Sequence, residues 1–234
     1  MRSACLLISV AFAAVVHVSA GSARTGCPAG VASSLASTGS ASQLVTVVAP
    51  VASSTSGTMR LWQLGGGCWH AAGGPWRVYL GYAGVSASHR EGDGTTPTGA
   101  FAIGPVMYGV APDPGAHYSY HRVVCGDWWD EDPASPTYNT FRHVPCGTKP
   151  SFAGSSEGLW QATRAYSHFV FVEYNTAPAV RGRGSAIFIH VEMGHPTVGC
   201  ISLAPARMLQ LVRWLRPSAS PLIVIGTSAG IAGY

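Results

Sequence analysis

The sequence predicts a mainly β protein with a few helices. Three observations carry this. Apolar residues make up 47% of the chain and charged residues only 10%, which disfavours helical bundles and coiled coils, since both need many charged helix formers. Glycine (29) and proline (16) are frequent enough for a turn-rich chain. Short β-branched and aromatic runs recur between the turn signals. At 234 residues the chain can build one domain with a proper core and a small extra segment.

Residues 1–20 read as a signal peptide: Arg2 is a short positive start, Ala4 to Val18 are apolar, and Val18-Ser19-Ala20 is a small-residue cleavage site. Residues 21–42, rich in Ser, Ala, Gly and Thr, read as a poorly structured leader. Gln43–Pro50, Thr58–Leu64 and Trp76–Tyr82 are expected strands, and Phe101–Ile103 starts another. Residues 109–155 are irregular and dense in Pro, Asp, His and Trp, a long insertion expected to decorate the surface or to wall a substrate cleft. Ser156–Ser167 is expected to be helical, His168–Tyr174 and Ser185–Val191 to be strands, and Cys200–Leu203 to be extended. Pro205 to Leu215 is the strongest helix, with Met208, Leu211, Val212 and Leu215 on one face. Pro221–Ile225 closes the domain, 43–226, and 227–234 reads as a tail.

A secreted, extracytoplasmic location makes cysteine pairing the expected state. Cys5 leaves with the signal, so five cysteines remain, an odd number. Cys125 and Cys146 bracket a short loop and are natural partners; Cys27 and Cys68 then pin the mature N-terminus. Cys200 is left over as a candidate reactive thiol. The net charge of +4 suits contact with an anionic polymer such as a cell wall, and it is too weak and scattered to argue for nucleic acid.

Chemistry concentrates in Ile187–Leu203. A strand delivers His190, a Gly/Pro loop turns back, and Gly199-Cys200 leads into a short strand ahead of a helix. A histidine in hydrogen-bond reach takes the thiol proton. The glycine lets a carbonyl approach backbone N–H groups, so Gly199 and Cys200 are the candidate oxyanion donors. His195, Thr197 and Ser202 are candidate substrate contacts. Two other readings compete: a zinc site from His190, Glu192, His195 and Cys200, whose spacing matches no common zinc signature, and a wall-binding surface built on Tyr118, Tyr120, Trp128, Trp129 and Tyr138. Asp127, Asp130, Glu131 and Asp132 read as a solvated acidic face.

His190 followed by Thr197-Val198-Gly199-Cys200-Ile201-Ser202-Leu203 resembles the signature of the L,D-transpeptidase (YkuD/ErfK-type) family, and Thr95-Thr96-Pro97-Thr98-Gly99-Ala100-Phe101 resembles that family's upstream strand entry. The resemblance implies a β-sandwich-like catalytic domain acting on peptidoglycan stem peptides. Cys200 would be the nucleophile attacking a diaminopimelate carbonyl and His190 the proton acceptor and donor. No cofactor and no metal would be needed, the chain would act as a monomer, and carbapenem-type β-lactams would acylate Cys200. Val198 stands where many members carry histidine, and the His190–Cys200 interval is short. Branches with shortened motifs include hydrolytic members, so carboxypeptidase or amidase action stays open beside transpeptidation.

Overall fold

In the computed structural model, which describes residues 26–152 and 155–234, one long sheet organises the chain. The expected signal peptide lies outside the described residues. Strands β1 (Gln43–Ala49), β2 (Ser56–Gly65) and β3 (Cys68–Tyr79) form an antiparallel meander. Gly66 and Gly67, both at positive φ, make the tight turn between the last two, a conformation that excludes ordinary side chains. Next come the short parallel pair β4 (Val85–Ser86) and β5 (Thr96–Pro97), and then the long β6 (Gly99–Gly109). The insertion adds β7 (Ser119–Arg122), β8 (Asp127–Asp130) and β9 (Thr140–His143), and β10 (Glu157–Gly158) follows it. The chain closes with β11 (Phe169–Val172), β12 (Phe188–Val191), β13 (Ile201–Leu203) and β14 (Leu222–Thr227).

The main sheet runs β11-β12-β13-β3-β2-β1-β14-β6-β7, and β6 also pairs with β11. The first half of β6 bonds to β14 and its second half to β11. The sandwich is therefore one sheet folded over and joined at its edge. Alternation decides what fills it. Val170, Val172, Ile189, Val191, Ile201 and Leu203 point inward and pack with Met208, Leu211 and Val212 of helix α1 (Pro205–Trp214). Phe169, Phe171 and Phe188 point outward and pack with Trp129 and Tyr166 in a second, aromatic core. Burying each phenylalanine contributes about 2–3 kcal/mol.

Four segments differ from expectation. Residues 26–42 are packed: Ala32 and Ala41 bury against Trp62 and Trp69, and the Cys27–Cys68 disulfide anchors the segment. The tail also packs, because Ile231 is buried and Tyr234 shares a hydrogen bond with Thr98. The insertion, expected to be irregular, carries regular strands: β7 at the sheet edge, and β8 and β9, which with β10 just beyond it make a second, three-stranded sheet, β10-β8-β9, stapled by Cys125–Cys146. No helix spans 156–167. Glu157 and Gly158 pair with β8 instead, leaving 3-10 turns at Leu159–Gln161 and Ala165–Ser167, and the Ser156 hydroxyl accepts the Glu131 N–H rather than capping a helix.

Candidate active site

β12 and β13 are parallel, with Ile189 opposite Ile201 and His190 opposite Ser202. Their inward residues are apolar, so Phe188, His190, Ser202 and the preceding Cys200 share the outer face. His190 and Cys200 are thus diagonal neighbours on one surface. No hydrogen bond joins them among the described residues. The Cys200 thiol donates to the Ala186 carbonyl at 3.2 Å and accepts the Phe188 N–H at 3.3 Å.

His190 is 8% exposed. Its Nδ1 lies 2.9 Å from the Val191 carbonyl oxygen. A carbonyl only accepts, so Nδ1 carries the proton and Nε2 is left as the basic nitrogen. The Tyr166 ring stands edge-on to the imidazole at 5.7 Å. Burial lowers the His190 pKa to about 4, with the charge of His195 adding to the effect and the Val191 bond opposing it. Burial pushes the Cys200 thiol far above its ordinary range; Glu157 and Glu131 push it further, and the Phe188 N–H partly offsets them. The resting pair is therefore a neutral thiol beside a neutral imidazole.

The turn before Cys200 is braced from inside. Thr197 is buried, and its hydroxyl donates to the Cys200 carbonyl at 2.6 Å and accepts the Gly199 N–H at 3.2 Å. Thr96 donates to the same carbonyl at 3.4 Å. Gly199 has φ +149°, and a Cβ there would sit 3.1 Å from the Thr95 carbonyl oxygen, so glycine fits and larger residues strain. Thr95 is itself held by Asp93, which accepts its N–H and hydroxyl, both at 2.8 Å, and faces the buried His89 at 3.0 Å. The two sequence motifs thus meet as a strut and the turn that carries Cys200.

These contacts place the other candidate residues. Thr197 is buried and braces the turn through its hydroxyl. Ser202 is only 1% exposed, its hydroxyl has no partner, and it lies across from His190. The Gly199 N–H is engaged by Thr197, whereas the Cys200 N–H enters no hydrogen bond found among the described residues. His195 is exposed on the loop, and Val198, 72% exposed, puts an apolar rim beside the turn. His190, Glu192, His195 and Cys200 form no ligand cluster; no three His, Cys, Asp or Glu among the described residues are gathered to hold a metal ion. Tyr118, Trp129 and Tyr138 are buried packing residues rather than a stacking platform.

The insertion supplies what the sequence reading missed. The expected acidic face is folded inward: Asp127 is fully buried and accepts from His121 and His143 at 2.8 and 2.7 Å, and Asp130 accepts the hydroxyls of Ser135 and Thr137. Glu131 carries a buried oxygen without a partner, and burial, with Glu157 and Glu91 nearby, raises its pKa. Tyr166 donates to Glu157. Asn139 ties the insertion to the segment that holds the Cys200 thiol: its amide oxygen accepts from Trp129 Nε1 at 2.9 Å and from the Ala186 N–H at 3.0 Å. Ala186, whose carbonyl accepts the hydrogen bond of the Cys200 thiol, sits at φ +52°, a strained value for alanine.

The sequence model of the YkuD L,D-transpeptidase catalytic domain matches residues 51–225, about three quarters of the chain, and includes both motifs. No curated protein and no solved structure matches the chain. With that match spanning the strut, the turn and the strand bearing His190, the chain belongs to the YkuD family of L,D-transpeptidase catalytic domains.

Proposed function

We propose that the protein is an exported cysteine acyltransferase that remodels peptidoglycan, using Cys200 as nucleophile and His190 as base. The observation that carries this reading is the shared outer face of β12 and β13, where a histidine with its Nδ1 already engaged lies diagonal to the one free cysteine among the described residues. The substrate is the stem peptide bond between the L-centre carbonyl of diaminopimelate and a following D residue.

With substrate bound, a change of the Cys200 side chain away from Ala186 brings the thiol to His190 Nε2. The proton moves to Nε2 as sulfur bonds to the carbonyl carbon. Because burial disfavours both ionised forms, proton transfer and attack are coupled rather than preceded by an ion pair. The Cys200 N–H donates to the oxyanion. Collapse breaks the C–N bond, and the imidazolium returns its proton to the departing amine. The thioester then passes its acyl group to a second amine or to water, regenerating the thiol. No step calls for a cofactor.

Incubation with purified diaminopimelate muropeptides, followed by mass analysis, tests the reading. Cross-linked products identify an amine acceptor and shortened stems a water acceptor; unchanged muropeptides contradict the proposal. Carbapenem acylation of Cys200 is an expected companion. EDTA should leave activity unchanged, whereas iodoacetamide should abolish it.

A further inference from the structure

All ten carboxylate side chains lie between Glu91 and Glu192, the stretch that contains β12 and the insertion. The described segments on either side, 26–90 and 193–234, carry arginines and no acid. Three of these arginines meet in one groove. Arg207, Arg213 and Arg216 line a cavity of 660 Å³ between α1 and the β2–β3 hairpin, with Trp76, Trp214 and Gln210. A second hollow of 270 Å³ continues past Pro75 and Trp76 and adds Arg77.

Among the described residues, none of these arginines is in an ion pair. Arg207 lies over the Trp76 ring at 5.7 Å and donates to Gln210, Arg213 donates to the Pro114 carbonyl at 2.7 Å, and Arg77 lies over Tyr79 at 4.7 Å. The side chains are thus held along a trench while their charges stay unneutralised. Trp76 and Trp214, which line the main groove, belong to a different packing layer from Cys200. The inward side of α1 packs in the inner core, whereas Cys200 packs in the outer, aromatic one.

We propose that this trench binds a linear phosphodiester polymer with a polyol or sugar backbone, holding the enzyme on an anionic wall chain. Guanidinium groups pair with phosphate oxygens through parallel N–H donors. Several of them in a row favour a repeating anion over a single small one. Arg207 occupies a face of Trp76, which leaves that ring poorly placed to stack a base, so the chemistry favours a chain without bases over nucleic acid. The inference does not depend on the acyl transfer reaction.

The test is binding of the full protein to poly(glycerol phosphate) at several salt concentrations, with polygalacturonate and duplex DNA as comparators and an R207Q/R216Q double variant. Both substituted side chains are exposed. The expected result is binding that weakens steeply with salt and prefers poly(glycerol phosphate). The double variant should bind at least about tenfold more weakly, with the salt slope reduced by about 1–2. Its thermal midpoint and its Cys200 alkylation rate should stay at wild-type values, separating this result from a failure of the catalytic reading. Absence of binding at low salt, wild-type binding by the variant, or equal affinity for either comparator would overturn the proposal.

Discussion

The Nδ1 of His190 donates to the carbonyl oxygen of its own neighbour Val191, 2.9 Å away, and so directs Nε2 to the face that also bears Cys200. One backbone bond thereby sets the tautomer that a base needs. Burial then keeps that base neutral down to about pH 4.

The acid limb of catalysis follows. Cys200 acylation should need neutral His190, so its rate should be flat through neutral pH and fall with a midpoint near 4 rather than near 6.5. A pH series of carbapenem adduct formation checks this; a midpoint at 6.5 would remove the buried base from the account. His190→Gln should slow acylation at least about a hundredfold.

Stability carries the same signature. The folded pKa of His190 lies below its unfolded value, so the unfolded chain takes up the proton first as the solution is acidified. The stabilisation is complete above about pH 6.5 and is lost as pH falls toward 4, by about 3 kcal/mol in total. Urea unfolding at pH 7 and pH 4.5 should show this loss in the wild type and a smaller one in His190→Gln.

Thr197 tests the brace. Thr197→Val removes the donor to the Cys200 carbonyl and the acceptor of the Gly199 N–H. It should cost about 1–3 kcal/mol of stability and slow acylation at least about tenfold, whereas Thr197→Ser should retain most of both. Equal acylation rates for the valine and serine variants would show that the turn holds its shape without the hydroxyl.

Glu157 opposes thiolate formation. Burial raises the pKa of Glu157 itself; in its ionised form it raises that of Cys200, and Glu157→Gln removes that charge while leaving an acceptor for Tyr166. Iodoacetamide should then alkylate Cys200 several-fold faster at pH 8, as mass spectrometry can follow. A slower reaction would reverse the assigned sign.

Asn139 should link the insertion to the nucleophile. Asn139→Ala leaves the Trp129 Nε1 and the Ala186 N–H without their acceptor in a buried setting. The expected cost is about 2–4 kcal/mol, with slower acylation, because Ala186 holds the thiol. Thermal melting and adduct rates measured on one preparation check both effects.

Much of this was legible from residue order. Ile189 and Val191 alternate with Phe188 and His190, and Met208, Leu211 and Val212 recur at helical spacing, so β12 and α1 could be read directly. The odd cysteine count left Cys200 unpaired, and both disulfides occur as expected. The insertion was not legible, because its order comes from distant partners. Asp127 and Asp130 look solvated in a row of acids, and distant partners such as His121, His143, Ser135 and Thr137 help make their burial tolerable. Ser156–Ser167 has a helical look that pairing of Glu157 with Trp129 overrides. Ala186 and Asn139, both at positive φ, carry no local sign of it.

The central claim is that Cys200 carries the acyl group, and rapid-quench intact-mass measurement with a diaminopimelate tetrapeptide muropeptide tests it most directly. The account predicts a transient adduct equal to the donor lacking its terminal D residue, located on Cys200 and absent from Cys200→Ala, which forms no product. Product formation by Cys200→Ala, or a wild-type protein that leaves both its own mass and the muropeptide unchanged, would contradict it.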